Sequence, residues 1–209
     1  MSGRISALKV QKRDRQRVNV YLDGEFAFGL SRITAAWLHI GQELSDEKIN
    51  ELQAQDASEA AYQRALKFLN YRARSSREVR RNLESHAVPE EVIERVLERL
   101  QGSGLIDDTR FAQDWIENRS EFRPRSRRML AYELRQRGLP TDQIDLALNE
   151  LDDESLAYQA ALKQARKLRE LEWLEFRQKL SGFLARRGFA YQEVQSAVRR
   201  VWDEIQEQG

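Results

Sequence analysis

Three stretches of this chain align on one another without a gap: VRRNLESHAVPEEVIERVLERL at 79–100, LAYELRQRGLPTDQIDLALNEL at 130–151 and LSGFLARRGFAYQEVQSAVRRV at 180–201. Val79, Leu130 and Leu180 coincide, as do Leu83, Leu134 and Leu184, then Ala87, Gly138 and Gly188. The register continues through Ile93, Ile144 and Val194, then Leu97, Leu148 and Val198, and closes on Leu100, Leu151 and Val201. Offsets of 51 and 50 residues describe an array of one supersecondary unit rather than a single irregular core. Within each copy the apolar residues recur four or seven apart, one face of a helix. The small residue between the two helices suits a left-handed helix end. A further helix precedes each pair. It carries Ala61, Ala65, Leu66 and Leu69 in the first copy, Phe111, Ala112, Trp115 and Ile116 in the second, and Ala157, Ala161, Leu162 and Ala165 in the third. A unit this short cannot cover its own stripe, so neighbours are expected to stack into an elongated, curved array.

The helix starts carry their own signals. Ser75 and Glu78 stand three apart, the spacing of a capping box. Asp107 and Asp108 directly precede a helix, where carboxylates satisfy free backbone N–H groups.

The N-terminal segment has the other period. Val18, Val20 and Leu22 alternate with polar residues, Asp23-Gly24 follows, and Phe26 and Phe28 alternate after it. Alternation on both sides of Asp-Gly predicts a β-hairpin, and residues 5–11 supply a third strand. The loop at 12–17, KRDRQR, reads as a solvated tip that could also meet phosphate or an acidic protein surface. Residues 31–38 and 45–54 read as short helices, with Ser45 as an N-cap. The expected fold is therefore mainly α: three tandem three-helix, helix-turn-helix-like repeats behind a small β-hairpin or meander. Its segments are 1–56, 57–103, 104–152 and 153–209.

Composition removes most chemistry. The 209 residues contain no cysteine, so disulfides and thiolate zinc sites are excluded. His39 and His86 are the two histidines and stand in different segments, which leaves no histidine metal site or Ser-His-Asp triad. There is no phosphate-cradling Gly-rich loop. The reading implies no catalytic residues, no metal and no cofactor. Without an apolar run of about 18 residues or a cleavable leader, a cytoplasmic protein is expected.

Net charge is only +1, but its distribution is uneven. Residues 64–81 hold seven basic and one acidic residue, and 119–137 hold seven basic and two acidic. Residues 141–157 hold six acidic and no basic residues. Opposite blocks on a near-neutral chain predict a bipolar surface. Arg72, Arg74, Arg77, Arg80 and Arg81 are the candidate contacts of the first copy. Arg119, Arg123, Arg125, Arg127 and Arg128 surround Pro124 in the second, and Arg135 and Arg137 continue along its helix. Lys179, Arg186 and Arg187 are the candidates of the third. Guanidinium forks in such density suit phosphate or carboxylate. Weak binding to single- and double-stranded DNA without sequence preference is expected. The tryptophans Trp37, Trp115, Trp173 and Trp202 stand beside apolar residues and read as buried, and Phe122 reads as packed.

The tandem units, the junction GLIDDTRFA at 104–112, RMLAYELRQRGL at 128–139 and FLARRGF at 183–189 together resemble the RecX family, bacterial regulators of the RecA recombinase. The likeness covers about residues 57–203, and the N-terminal hairpin fits longer members. What it implies is a monomeric, non-enzymatic protein whose partner is the RecA nucleoprotein filament. It would modulate, most often inhibit, ATP hydrolysis and strand exchange in recombination, DNA repair and the SOS response. From the residues alone, a helix-turn-helix transcription factor stands as the alternative, and a nuclease is the weaker third reading for want of clustered carboxylates.

Overall fold

The computed structural model describes residues 2–208. Its N-terminal part is a four-stranded antiparallel sheet of β1 (Gly3–Val10), β2 (Arg17–Leu22), β3 (Glu25–Ser31) and β4 (Glu43–Leu44), in the order β3-β2-β1-β4. The hairpin turns where the sequence places it. Asp23 at φ 48° and Gly24 at φ 96° are both left-handed, as a type I′ turn requires. One face of the sheet buries Ile5, Val20, Leu22 and Leu30. Short α1 (Arg32–Ala35) follows, with the Ser31 hydroxyl accepting the Thr34 N–H.

The two helical readings on either side of residue 56 turn out to be one element. Helix α2 (Asp46–Leu69) runs 24 residues from the Ser45 N-cap, with no Gly or Pro inside it to break the pattern. Buried Asp56, midway along, accepts the Ser31 backbone N–H and a 3.1 Å bond from Arg17, which fastens the helix to the sheet.

Helices α3 (Ser76–Glu84) and α4 (Glu90–Gly102) complete the first copy. The second comprises α5 (Asp108–Phe122), α6 (Arg127–Gln136) and α7 (Thr141–Leu148). The third comprises α8 (Asp153–Ala165), α9 (Trp173–Arg186) and α10 (Tyr191–Gln208). The aligned residues Val79, Leu130 and Leu180, and Leu83, Leu134 and Leu184, are all fully buried. So the repeat in sequence is a repeat of core positions. The aligned turn residues Ala87, Gly138 and Gly188 all take positive φ, 55°, 85° and 91°. In each copy the next N–H reaches back five residues: Val88 to Leu83, Leu139 to Leu134 and Phe189 to Leu184. This closes the helix in a Schellman-type end. No helix among the described residues is long and apolar enough to cross a membrane.

The chain forms two compact units, Met1–Ala73 with Val79–Leu105, and Arg74–Glu78 with Ile106–Gly209. Inside the second unit one junction occurs twice. Asp107 accepts the N–H groups of Thr109 and Arg110 at 2.9 and 3.0 Å, capping its own helix α5. The next carboxylate, Asp108, instead accepts the Ser76 N–H at 2.8 Å, at the start of α3. Asp152 and Asp153 repeat the division of labour: Asp152 caps α8, and Asp153 accepts the Arg127 N–H at 2.7 Å, at the start of α6. The paired aspartates thus cap two helices rather than one. The capping box is also present, with Ser75 and Glu78 bonded reciprocally at 3.2 and 3.3 Å.

Candidate nucleic-acid interface

The fifteen basic residues named from the sequence separate into two groups by their partners. The first group is held by carboxylates or carbonyls. Glu133, on the inner side of α6, accepts from Arg119 Nε and from Trp115 Nε1, both at 2.8 Å, and pairs with Arg125. The Arg119 and Arg137 guanidiniums lie over the Trp115 ring, 4.4 and 4.7 Å from its centroid. Arg137 also donates to Glu78 at 2.8 Å, and Arg74 stands 3.7 Å from the same carboxylate. These six charged side chains form one half-buried network around Trp115 in the second unit, with four guanidiniums sharing the two carboxylates Glu78 and Glu133. In the first unit Arg80 bridges Glu90 and Glu94, and these hydrogen bonds raise its pKa, the one from Glu94 most. Lys179 pairs with Glu175 at 2.6 Å along α9, and Arg72 donates to the Ala73 carbonyl at 3.2 Å.

Arg187 is a special case. Its backbone carbonyl accepts the Ser126 N–H at 3.1 Å, and its Nη1 donates to the Pro124 carbonyl at 2.9 Å. Its guanidinium rests on Phe183, 4.3 Å from the ring centroid, with no carboxylate partner among the described residues. Burial first, then the charges of Arg125 and Arg123, push its pKa below the usual guanidinium range. Three cations therefore converge on the loop before α6, and Glu133 offsets only Arg125.

The second group makes no side-chain ion pair among the described residues and is exposed: Arg123, Arg127, Arg128, Arg135 and Arg186, with Arg77 and Arg81 on α3. Arg127 has the Asp153 carboxylate nearby, which accepts its backbone N–H. Arg128, Tyr132 and Arg135 stand at i, i+4 and i+7, one outward stripe of α6, opposite buried Leu130 and Leu134. Tyr132 is 56% exposed in that stripe, and Phe122 is 64% exposed just before the loop. The sequence reading missed Tyr132, although its position between two arginines at helical spacing was legible.

Three aromatic expectations, for Trp37, Phe122 and Trp173, need correcting. Trp37 is 88% exposed rather than buried, because α1 is only four residues long and ends before Trp37 can turn inward. Phe122 does not pack either. It ends α5, where the chain leaves the helix at Arg123. Trp115 is largely covered, as expected, and stacks on Phe111. Trp202 packs on Phe176 and Trp173, while Trp173 itself stays 37% exposed.

Four family models match the chain in order. They are the regulatory protein RecX N-terminal domain at residues 3–45, and the RecX first, second and third three-helix domains at 61–100, 107–148 and 152–198. A regulatory protein RecX of Bacillus velezensis is 30% identical over 204 residues, 94% of this chain and 77% of that protein. This chain belongs to the RecX family. A further RecX regulatory protein, from Bacillus pumilus, is 29% identical over 98% of this chain and 80% of its own length. A crystal structure of regulatory protein RecX superposes with a TM-score of 0.69 at 30% identity, covering 97% of this chain and all of that one. The RecX structure from Lactobacillus salivarius shares the fold, with a TM-score of 0.60 at 21% identity over 70% of this chain and 97% of its own. The RecX modules coincide with the sheet and the three helical copies. Among the described residues no group of three or more His, Cys, Asp or Glu side chains is placed to hold a metal ion.

Proposed function

We propose that this protein is a cytoplasmic regulator that binds the RecA–DNA filament and restrains its ATP hydrolysis and strand exchange, without catalysing a reaction itself. The observation that carries this reading is the exposed set Arg123, Arg127, Arg128 and Arg135, whose side chains form no salt bridge among the described residues of a RecX-family chain. Phosphates of the filament's DNA neutralise that set, and release of counterions drives the contact. Arg119, Arg125 and Arg137, tied to Glu133 and Glu78, are positioning residues that hold the loop and α6 in place. Arg186, Arg187 and Lys179 extend the basic surface in the third copy. Arg72, Arg77 and Arg81 are assigned to the filament contact of the first, where Arg74 and Arg80, tied to Glu78, Glu90 and Glu94, are positioning residues. The protein acts as a monomer, and its contact with free DNA is weak and tolerant of sequence.

The test is DNA-dependent ATP hydrolysis by RecA, with and without this protein at low molar ratio. A fall in rate supports the reading, and an unchanged rate overturns it. A transcription factor would instead prefer one duplex sequence by about 10³ or more over others. An enzyme would hydrolyse ATP or cut DNA alone, in step with the protein through purification.

A further inference from the structure

The repeat register exposes a difference between the copies. Tyr62, Gln113 and Tyr158 each follow the buried alanine of the first helix, Ala61, Ala112 and Ala157. Arg99, Glu150 and Arg200 share one aligned position, at offsets of 51 and 50, on α4 and α10 in the outer copies and two residues past the end of α7 in the second. In the first copy the Arg99 guanidinium lies 3.6 Å from the Tyr62 ring centroid and pairs with Glu59 at 2.8 Å. In the third, Arg200 lies 3.9 Å from the Tyr158 centroid and pairs with Glu204 at 3.2 Å. The same cation–π clasp thus joins the first and third helices of two copies. The second copy has Gln113 and Glu150 there, which cannot form it.

Between α5 and α7 the second copy has an open groove of about 380 Å³, lined by Ile116, Leu146, Ala147 and Leu151. Leu146 is 74% exposed. Glu117 and Glu150 line the same groove, and Asp142 and Asp145 lie exposed on α7. These four carboxylates have no basic partner among the described residues, and the surrounding segment 141–157 contains no Lys or Arg. An apolar floor under an unpaired acidic rim repels phosphate and attracts cations. We infer that the α5–α7 groove docks a basic segment of a partner protein, whose apolar side chain covers Leu146 while its Lys or Arg heads meet Glu117 and Glu150. Charge complementarity selects this occupant over nucleic acid. The inference is independent of the arginine set, which lies on other residues and has the opposite sign.

The experiment uses the full chain and a fluorescent lysine–leucine peptide with leucines at helical spacing, read by anisotropy and by amide chemical shifts. Shifts should concentrate at Gln113, Leu146 and Leu151. Affinity should fall about tenfold or more in Glu117→Lys/Glu150→Lys and in Leu146→Ser, an exposed position where folding is insensitive. The variant Gln113→Tyr/Glu150→Arg installs the clasp of the other two copies, replaces a rim carboxylate by a cation and should also weaken binding. The same peptide with Glu in place of Lys should not bind. Equal binding by both peptides, undiminished binding to the variants, or no binding to the wild type overturns the proposal. So does a concentration-dependent dimer that Leu146→Ser dissolves, because the occupant would then be a second copy.

Discussion

The Asp153 carboxylate accepts the backbone N–H of Arg127 at 2.7 Å, so the first helix of one copy caps the middle helix of the copy before it. The bond crosses 26 residues and is matched by Asp108 and Ser76, across 32. Burial raises the Asp153 pKa above its ordinary 3.8. The bond to Arg127 opposes the shift, and nearby Glu193 adds to it. A carboxyl raised on folding contributes stability below its ordinary pKa and loses that contribution as pH rises through the raised value. Wild type should therefore lose stability relative to Asp153→Asn as pH climbs from about 3.8. Asp153→Ala, which removes the acceptor, should cost about 0.5–2 kcal/mol at neutral pH. Urea melts of the three proteins across pH check both outcomes.

The aligned turn residues allow a reciprocal test. Ala87 holds the left-handed conformation that Gly138 and Gly188 adopt without strain. Ala87→Gly should stabilise the protein by up to about 1 kcal/mol, the strain relieved exceeding the added chain entropy. Gly138→Ala should destabilise it by more than about 1 kcal/mol, because the new methyl would also fall on the Arg77 side chain. Opposite shifts in melting temperature are expected.

Arg125 cannot be grouped with Arg123, Arg127 and Arg128 as a side chain without a structural task, since it shares Glu133 with Arg119 and Trp115. Glu133→Ala leaves three donors without their acceptor and should cost about 2–4 kcal/mol. Leu134→Ala, at a fully buried repeat position, should cost about 2–5 kcal/mol. Arg123→Ala, Arg128→Ala and Arg135→Ala should each stay within about 0.5 kcal/mol. Denaturant unfolding separates the two sets.

Replacing Arg123, Arg127, Arg128 and Arg135 together with Glu should abolish the restraint on RecA-catalysed ATP hydrolysis, while the helical circular dichroism and melting stay close to wild type. Retained inhibition at normal protein ratios would refute the role given to this set.

For duplex DNA, neutralising about four phosphates gives a slope of log K against log salt of roughly −3 to −4. The four-glutamate variant should flatten it toward zero. Anisotropy titrations over a range of salt measure the slope.

Much of the architecture was legible in one dimension. Leu83, Leu134 and Leu184 disclosed their burial by spacing alone, and Asp23-Gly24 disclosed its turn by the positive φ it tolerates. Helix starts at Ser75 and Asp107 were readable because a cap lies within three residues of the N–H groups it serves. The arginines were readable as clusters, but not as individuals. Arg119 and Arg123 look alike in sequence, yet one is bound to Glu133 and the other is exposed without an acidic partner.

The sequence by itself determined the period, the helix and strand types, the turn positions and the opposed charge blocks. Each of these depends on neighbours a few residues apart, where backbone geometry sets the distance. Tertiary structure alone decided that Glu78 takes Arg137 from 59 residues away, that Asp108 and Asp153 cap helices other than their own, and that Trp37 stays outside. It also decided that Arg99 lies on the Tyr62 ring and Arg200 on that of Tyr158. Pairing of charges and closure of grooves depend on which faces meet once the helices pack, and the spacing of residues along one helix carries no record of its partner.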